Sequence, residues 1–168
     1  MRALIIDGYN VIHSVSRYAA TAEEDLDAAR ARLVSDVAAF AQGEYRAYVV
    51  FDGGSNPASD GAPHHISGVV VMFSPFGTEA DSVIEALAAR CRENGSETVV
   101  VTSDQTTQWT VFGGSVSRMS SVQFASALEA GAQEWRDANP SGSPRGRLED
   151  RVDASVREVL ARWARGEH

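Results

Sequence analysis

Residues 3–10 read Ala3-Leu4-Ile5-Ile6-Asp7-Gly8-Tyr9-Asn10. An unbroken apolar run halted by Asp and Gly predicts a strand covered on both faces, because a half-exposed strand would alternate apolar with polar residues. The same pattern recurs down the chain. Ala47–Asp52, Val69–Phe73 and Thr98–Ser103 are near-continuous apolar runs, and Ser115–Arg118 reads as a shorter fifth strand. Helical periodicities lie between them. Leu26, Leu33, Val37 and Phe40 follow a capping box at Thr21 and Glu24, and Val83, Ile84, Leu87 and Cys91 run from Thr78–Asp81 to Asn94 and Gly95. Val122, Ala125, Leu128 and Trp135 form a third stripe behind Ser120 and Ser121. A short helix is expected from Ser103 or Asp104 past Trp109, while Gly53–Gly68, rich in Gly, Ser and Pro, reads as a crossover without a helix. Buried strands alternating with helices predict a doubly wound α/β fold with a mainly parallel sheet of about five strands.

The 168 residues suit one domain, spanning 1–168. Its clearest internal break is the polar, twice proline-interrupted linker 137–147. Beyond it, Leu148, Val152, Val156, Val159, Leu160 and Trp163 share one stripe of a C-terminal helix over 148–165, so that helix is expected to dock. No run is long and apolar enough to span a bilayer, and Asp7 comes too soon for a signal peptide. The one cysteine, Cys91, excludes a disulfide framework and a CxxC zinc site. A cytoplasmic protein without membrane contact is the expectation.

Fifteen bases against 23 acids give a net charge of −8, and every base is arginine. The absence of lysine excludes Schiff-base chemistry, a Walker P-loop and a Ser–Lys nucleophile. The negative balance argues against a general nucleic-acid coat protein.

Three of the predicted strands end in an acid, namely Asp7, Asp52 and Asp104, while Glu79 and Asp81 open the helix after the third strand. In an open parallel sheet, ligands bind beyond the carboxyl ends of the strands. Carboxylates gathered there repel one another unless a cation sits among them, and hard oxygen donors suit Mg²⁺ or Mn²⁺. A cation so held activates water near neutral pH and stabilises charge on an attacked phosphate. Each acid alone has a plainer reading as a turn former or helix cap, Asp104 for a helix at 105–111 and Asp81 with Thr78. Their coincidence favours the metal site.

Four blocks carry a resemblance: Ile5–His13 with its Asp-Gly-Tyr-Asn, Val49–Gly54, Phe73–Asp81 and Val101–Asp104. In this order, over roughly residues 1 to 165, they resemble the YacP-like branch of the NYN domain family, within the PIN-like nuclease superfold. The segment Gly113–Ser121 ahead of a helix is similar too. The resemblance implies a metal-dependent endoribonuclease that cuts messenger RNA in association with the ribosome. Carried over residue by residue, it makes Asp7, Asp52, Asp81 and Asp104 the acids around Mg²⁺ or Mn²⁺. Asp7, Asp81, Asp104 and Asn10 are the implied catalytic set, the Asn10 amide orienting a carboxylate or a substrate phosphate. Thr78, Glu79 and Ser103 are weaker candidates at the same edge.

Other residues read more plainly. His64 and His65 are expected to be a solvated loop pair, His13 to pack or hydrogen-bond, and Cys91 to lie in the core. Tyr9 reads as a buried aromatic sooner than a base-stacking one, and Trp109 and Trp135 as packing residues. Residues 121–168 hold 7 of the 15 arginines. Among them Arg145, Arg147 and Arg151 are candidate RNA contacts. The surplus of acid still predicts poor affinity for free RNA, which fits a nuclease delivered by a larger machine, and a monomer is expected for want of an interface signal. The rival reading is a non-catalytic RNA- or ribosome-binding module of the same fold. A haloacid-dehalogenase-like phosphatase is rejected, because it needs an acid where Tyr9 stands and usually a lysine.

Overall fold

Strand β1 (Arg2–Asp7) lies inside the sheet, where its apolar run is covered from both sides. The computed structural model describes residues 1–104, 115–138 and 146–167, without the side chains of 135, 136, 138 and 146–153. β1 pairs in parallel with β2 (Tyr45–Phe51) on one flank and β5 (Thr98–Val101) on the other. β4 (Val69–Phe73) adds beside β2 and β6 (Val116–Met119) beside β5, both parallel. The sixth strand, β3 (His64–Ile66), pairs antiparallel with β4, giving the order β3-β4-β2-β1-β5-β6.

β3 adds a sixth strand to the expected sheet of about five, and it lies inside the segment read as a crossover. The reason is the turn Ser67-Gly68, with φ of 50° and 85°, which folds Ile66 back onto Val69. Two successive left-handed residues make a tight hairpin whose twist suits the flanking strands. His64 and His65 therefore sit on an edge strand, not in a loop.

Two helices unforeseen in the sequence, α1 (Gly8–Ser14) and α2 (Ser16–Glu24), precede α3 (Leu26–Ala41). Thr21 and Glu24 end α2; they do not cap the next helix. The Thr21 hydroxyl donates back to the Arg17 carbonyl at 2.9 Å. The cap of α3 is Asp25, extended at φ −156°, whose carboxylate accepts from the Ala28 N–H at 3.1 Å.

The sheet is clothed unequally. On one face, α4 (Ala80–Glu93) sets Ile84, Leu87, Ala88 and Cys91 against Ile5, Val50 and Val100. On the other, α1, α2, α3, α5 (Ser121–Ala138) and α6 (Gly146–Ala164) bury Leu4, Ile6, Val49 and Phe51 with Tyr18, Leu33, Phe124 and Leu160. Cys91 is a core residue, as expected. Leu26 and Val122 leave their predicted stripes for the surface, 37% and 62% exposed, because each occupies the first turn of its helix. Phe124 takes the core place beside Ala125 and Leu128.

α6 packs along α3 through the buried Val156 and Leu160, with Arg157 ion-paired to Asp25. Its end reaches back over the loop before β3. There Trp163 stacks on His64 with centroids 3.9 Å apart, and the Asn56 side-chain amide donates to the Ala164 carbonyl at 2.9 Å. Among the described residues no helix is long and apolar enough to cross a membrane.

Candidate active site

The strand order makes β1 the switch point. The chain runs from β1 outward to β2 and β4, then returns through α4 to β5 and β6 on the opposite flank. A crevice opens beyond the carboxyl end of such a strand, and Asp7 occupies that end.

Asp7 caps α1, its Oδ1 accepting the Asn10 N–H at 3.2 Å. Gly8 is dictated by contact, since a Cβ there would lie 2.4 Å from Phe51 Cε1. Burial, reinforced by the charges of Asp81, Asp52 and Asp104, pushes the Asp7 carboxyl up to about 6, against the pull of the Asn10 N–H. Asp81, in the first turn of α4, is also raised, first by burial and then by Asp104, Glu79, Glu85 and Asp52. The predicted acids are thus brought within one another's electrostatic reach.

They do not share one task. Asp52 spends both oxygens on backbone, Oδ1 accepting from Gly54 at 2.9 Å and Oδ2 from Ala80 at 3.1 Å. It caps α4 from the end of β2, where Glu79, the preceding residue, makes no side-chain cap. Glu79 is exposed. The Thr78 carbonyl accepts the Ser74 hydroxyl at 2.7 Å, and the Gly53 N–H donates to that same hydroxyl at 2.9 Å. Gly54 permits this closeness, as a Cβ there would fall 2.6 Å from the Thr78 carbonyl oxygen.

Asn10 turns its side-chain oxygen to the protein. Its Oδ1 accepts the Ser103 N–H at 2.7 Å and the Ser121 hydroxyl at 2.8 Å. The Ser121 N–H in turn donates to Ser103 Oγ at 3.3 Å. The Asn10 side chain thus fastens the start of α1 to the end of β5 and the start of α5. Only its backbone N–H touches a site carboxylate. Asp104 follows this clasp, its N–H donating to Thr102 Oγ1 at 3.1 Å. The helix expected over 105–111, with Trp109, lies outside the described residues.

Arg118 is a residue the sequence reading passed over. Exposed on β6 opposite Val100, it donates from Nη1 to the Thr102 carbonyl at 3.1 Å. A strand ending in Arg was the available signal. Arg145 lies outside the described residues; Arg147 and Arg151 fall in α6, but their side chains are not described.

Tyr9 is half-buried against the core. Its ring lies 5.1 Å from that of Phe51, and its hydroxyl accepts Arg30 Nε at 3.0 Å. Arg30 is itself buried among Tyr9, Phe51 and Phe73 and paired with Asp27. His13 is exposed, its ring 6.3 Å from Tyr9.

Among the described residues, no three His, Cys, Asp or Glu side chains close tightly enough to cage a metal ion. The donor chemistry nevertheless fits a hard divalent cation. The shifts on Asp7 and Asp81 arise from burial and neighbouring carboxylates, a repulsion that a cation relieves. Mg²⁺ commonly keeps several waters and leans on one or two carboxylates plus phosphate oxygens, so a full protein cage is not its requirement.

A family model described as YacP-like NYN domain matches residues 4–165. A curated relative, the "Uncharacterized protein YacP" of Bacillus subtilis (strain 168), is 26% identical over 185 residues, covering 99% of each chain. The crystal structure of Rae1 (YacP) from Bacillus subtilis matches with a TM-score of 0.69 and 25% identity, over 99% of this chain and 96% of that one. A tryptophan-to-leucine mutant of the same protein matches at 0.66 and 25%, over 94% and 99%.

Proposed function

The chain belongs to the YacP-like NYN domain family, and from that membership and its nuclease-like fold we propose a metal-dependent endoribonuclease acting on single-stranded messenger RNA at the ribosome. One observation carries the reading: Asp7, at the end of the switch-point strand, is raised to about 6 by burial and by the charges of Asp81, Asp52 and Asp104, and Asp81 is raised as well.

Asp7 and Asp81 would hold Mg²⁺ or Mn²⁺, with Asp104 beside them. Such an ion, when bound, offsets the carboxylate charge and stabilises charge developing on the phosphate. Asp52 keeps α4, and so Asp81, in register with β2. The Asn10–Ser103–Ser121 clasp fixes Asp7 against the end of β5. Arg118, anchored at Thr102, supplies a guanidinium for a phosphate near Asp104.

A net charge of −8 supports delivery by a larger machine. An acidic protein gains little from the counterion release that drives ordinary RNA capture. On this reading the protein works as a monomer in the cytoplasm.

The test is cleavage of a translated messenger, with and without ribosomes, by wild type, Asp7→Asn and Asp81→Asn. Cutting by wild type alone, and only with ribosomes, is expected. Equal cutting by all three removes the mechanism, full-rate cutting of naked RNA removes the ribosome link, and no cutting by wild type leaves the non-catalytic binding module.

A further inference from the structure

Four large hydrophobic side chains are exposed among the described residues: Met1, Leu26, Phe76 and Val122. Phe76, 58% exposed, is the one aromatic in that set, and it sits on the loop joining β4 to α4 at the carboxylate edge. Its mounting is rigid. The Phe76 N–H donates to the Ser59 carbonyl, the Gly77 N–H to the Gly54 carbonyl and the Thr78 N–H to the Pro75 carbonyl, each at 2.9 Å. Gly77 takes φ +77°, a left-handed turn directly after the ring. Gly54 is also the residue whose N–H binds Asp52 Oδ1, so one short backbone bridge joins the Phe76 loop to Asp52, the acid that caps α4 and so positions Asp81.

We propose that Phe76 is a stacking platform for a base of the single-stranded RNA whose phosphate lies at Asp7, Asp81 and Asp104. The inference rests on the nuclease reading and names how that site grips its substrate. A surface of net negative charge gains little RNA affinity from charge, and base–aromatic stacking needs none. It is sequence-tolerant because every base has a π-face. Exposed Glu79, three residues on, breaks the apolar surface that a protein partner would need. An isolated flat ring fits one base.

The test is an NMR titration of the Asp7→Asn protein with a short single-stranded oligoribonucleotide, following the Gly54 and Gly77 amides. Those amides should shift, and Phe76→Ala should weaken Kd by about 5- to 150-fold, the range of one stacking contact. Phe76→Tyr and Phe76→Trp should restore binding, whereas Phe76→Leu, apolar but not flat, should not. An unchanged Kd for Phe76→Ala, full binding by Phe76→Leu, or unmoved Gly54 and Gly77 amides would each overturn the proposal. Cleavage by wild type on ribosomes is scored separately. Phe76-dependent binding without cleavage defeats the nuclease reading and keeps the platform, and cleavage with Phe76-independent binding does the reverse.

Discussion

Asp7 is where stability and chemistry pull apart. Its ordinary value of 3.8 rises to about 6 in the fold, chiefly through burial. The folded state therefore holds the proton more tightly than the unfolded one. The resulting stabilisation is fully present below about pH 4 and is lost as pH rises through about 6. At pH 7, without divalent cation, the ionised carboxylate opposes folding. Asp7→Asn should then be more stable than wild type by roughly 1–3 kcal/mol, with the gap closing near pH 4. Urea midpoints in EDTA at the two pH values measure this, and equal midpoints at both would contradict it. Added Mg²⁺ or Mn²⁺ should raise the melting temperature of wild type and leave Asp7→Asn nearly unmoved. At Asn10, truncation to Ala orphans the Ser103 N–H and the buried Ser121 hydroxyl. A cost of about 1–3 kcal/mol is expected, and a double-mutant cycle with Ser121→Ala should return a coupling of about 1 kcal/mol.

Among the elements, α4 and α6 carry the site's frame. Asp52 caps α4 through Ala80 and binds Gly54. Asp52→Ala should therefore cost about 1 kcal/mol in stability, and Asp52→Asn less, because its amide oxygen still accepts. α6 closes over the loop that leads from Asp52 to β3. Removing the Trp163–His64 stack by Trp163→Ala should cost roughly 1–3 kcal/mol and speed hydrogen exchange at the 53–62 amides, while leaving those of β1 protected. The parallel strands were legible in the sequence because burial on both faces makes their apolar runs unmistakable. The acids were legible because each one follows a strand or opens a helix. The Ser121 bond to Asn10 and the Arg118 bond to Thr102 were not, since they depend on β6 pairing beside β5, which no local pattern encodes. α1 and α2 escape local pattern for a different reason. Both are short and mixed in character, and the apparent capping box at Thr21 pointed one helix too late.

For the whole molecule, the net charge of −8 changes meaning once the acids are placed. Part of the surplus lies beyond β1, where a cation, on the proposed function, would offset it, and Arg118 is anchored at the end of the neighbouring strand through the Thr102 carbonyl. Binding to naked single-stranded RNA should accordingly be weak, with a shallow dependence on salt. Arg118→Ala should flatten that dependence by about 0.7 in the slope of log K against log salt, the share of one phosphate contact. On the proposed function, the carboxylates beyond β1 cut RNA with the help of a divalent ion. The most direct measurement is single-turnover cleavage of an end-labelled messenger on ribosomes, by wild type and by Asp81→Asn, in saturating Mg²⁺ and after chelation. The wild-type rate should be abolished by chelation and lowered by on the order of 10²–10³ in the variant. A wild-type rate that survives chelation, or an Asp81→Asn rate equal to it, would overturn the proposed function.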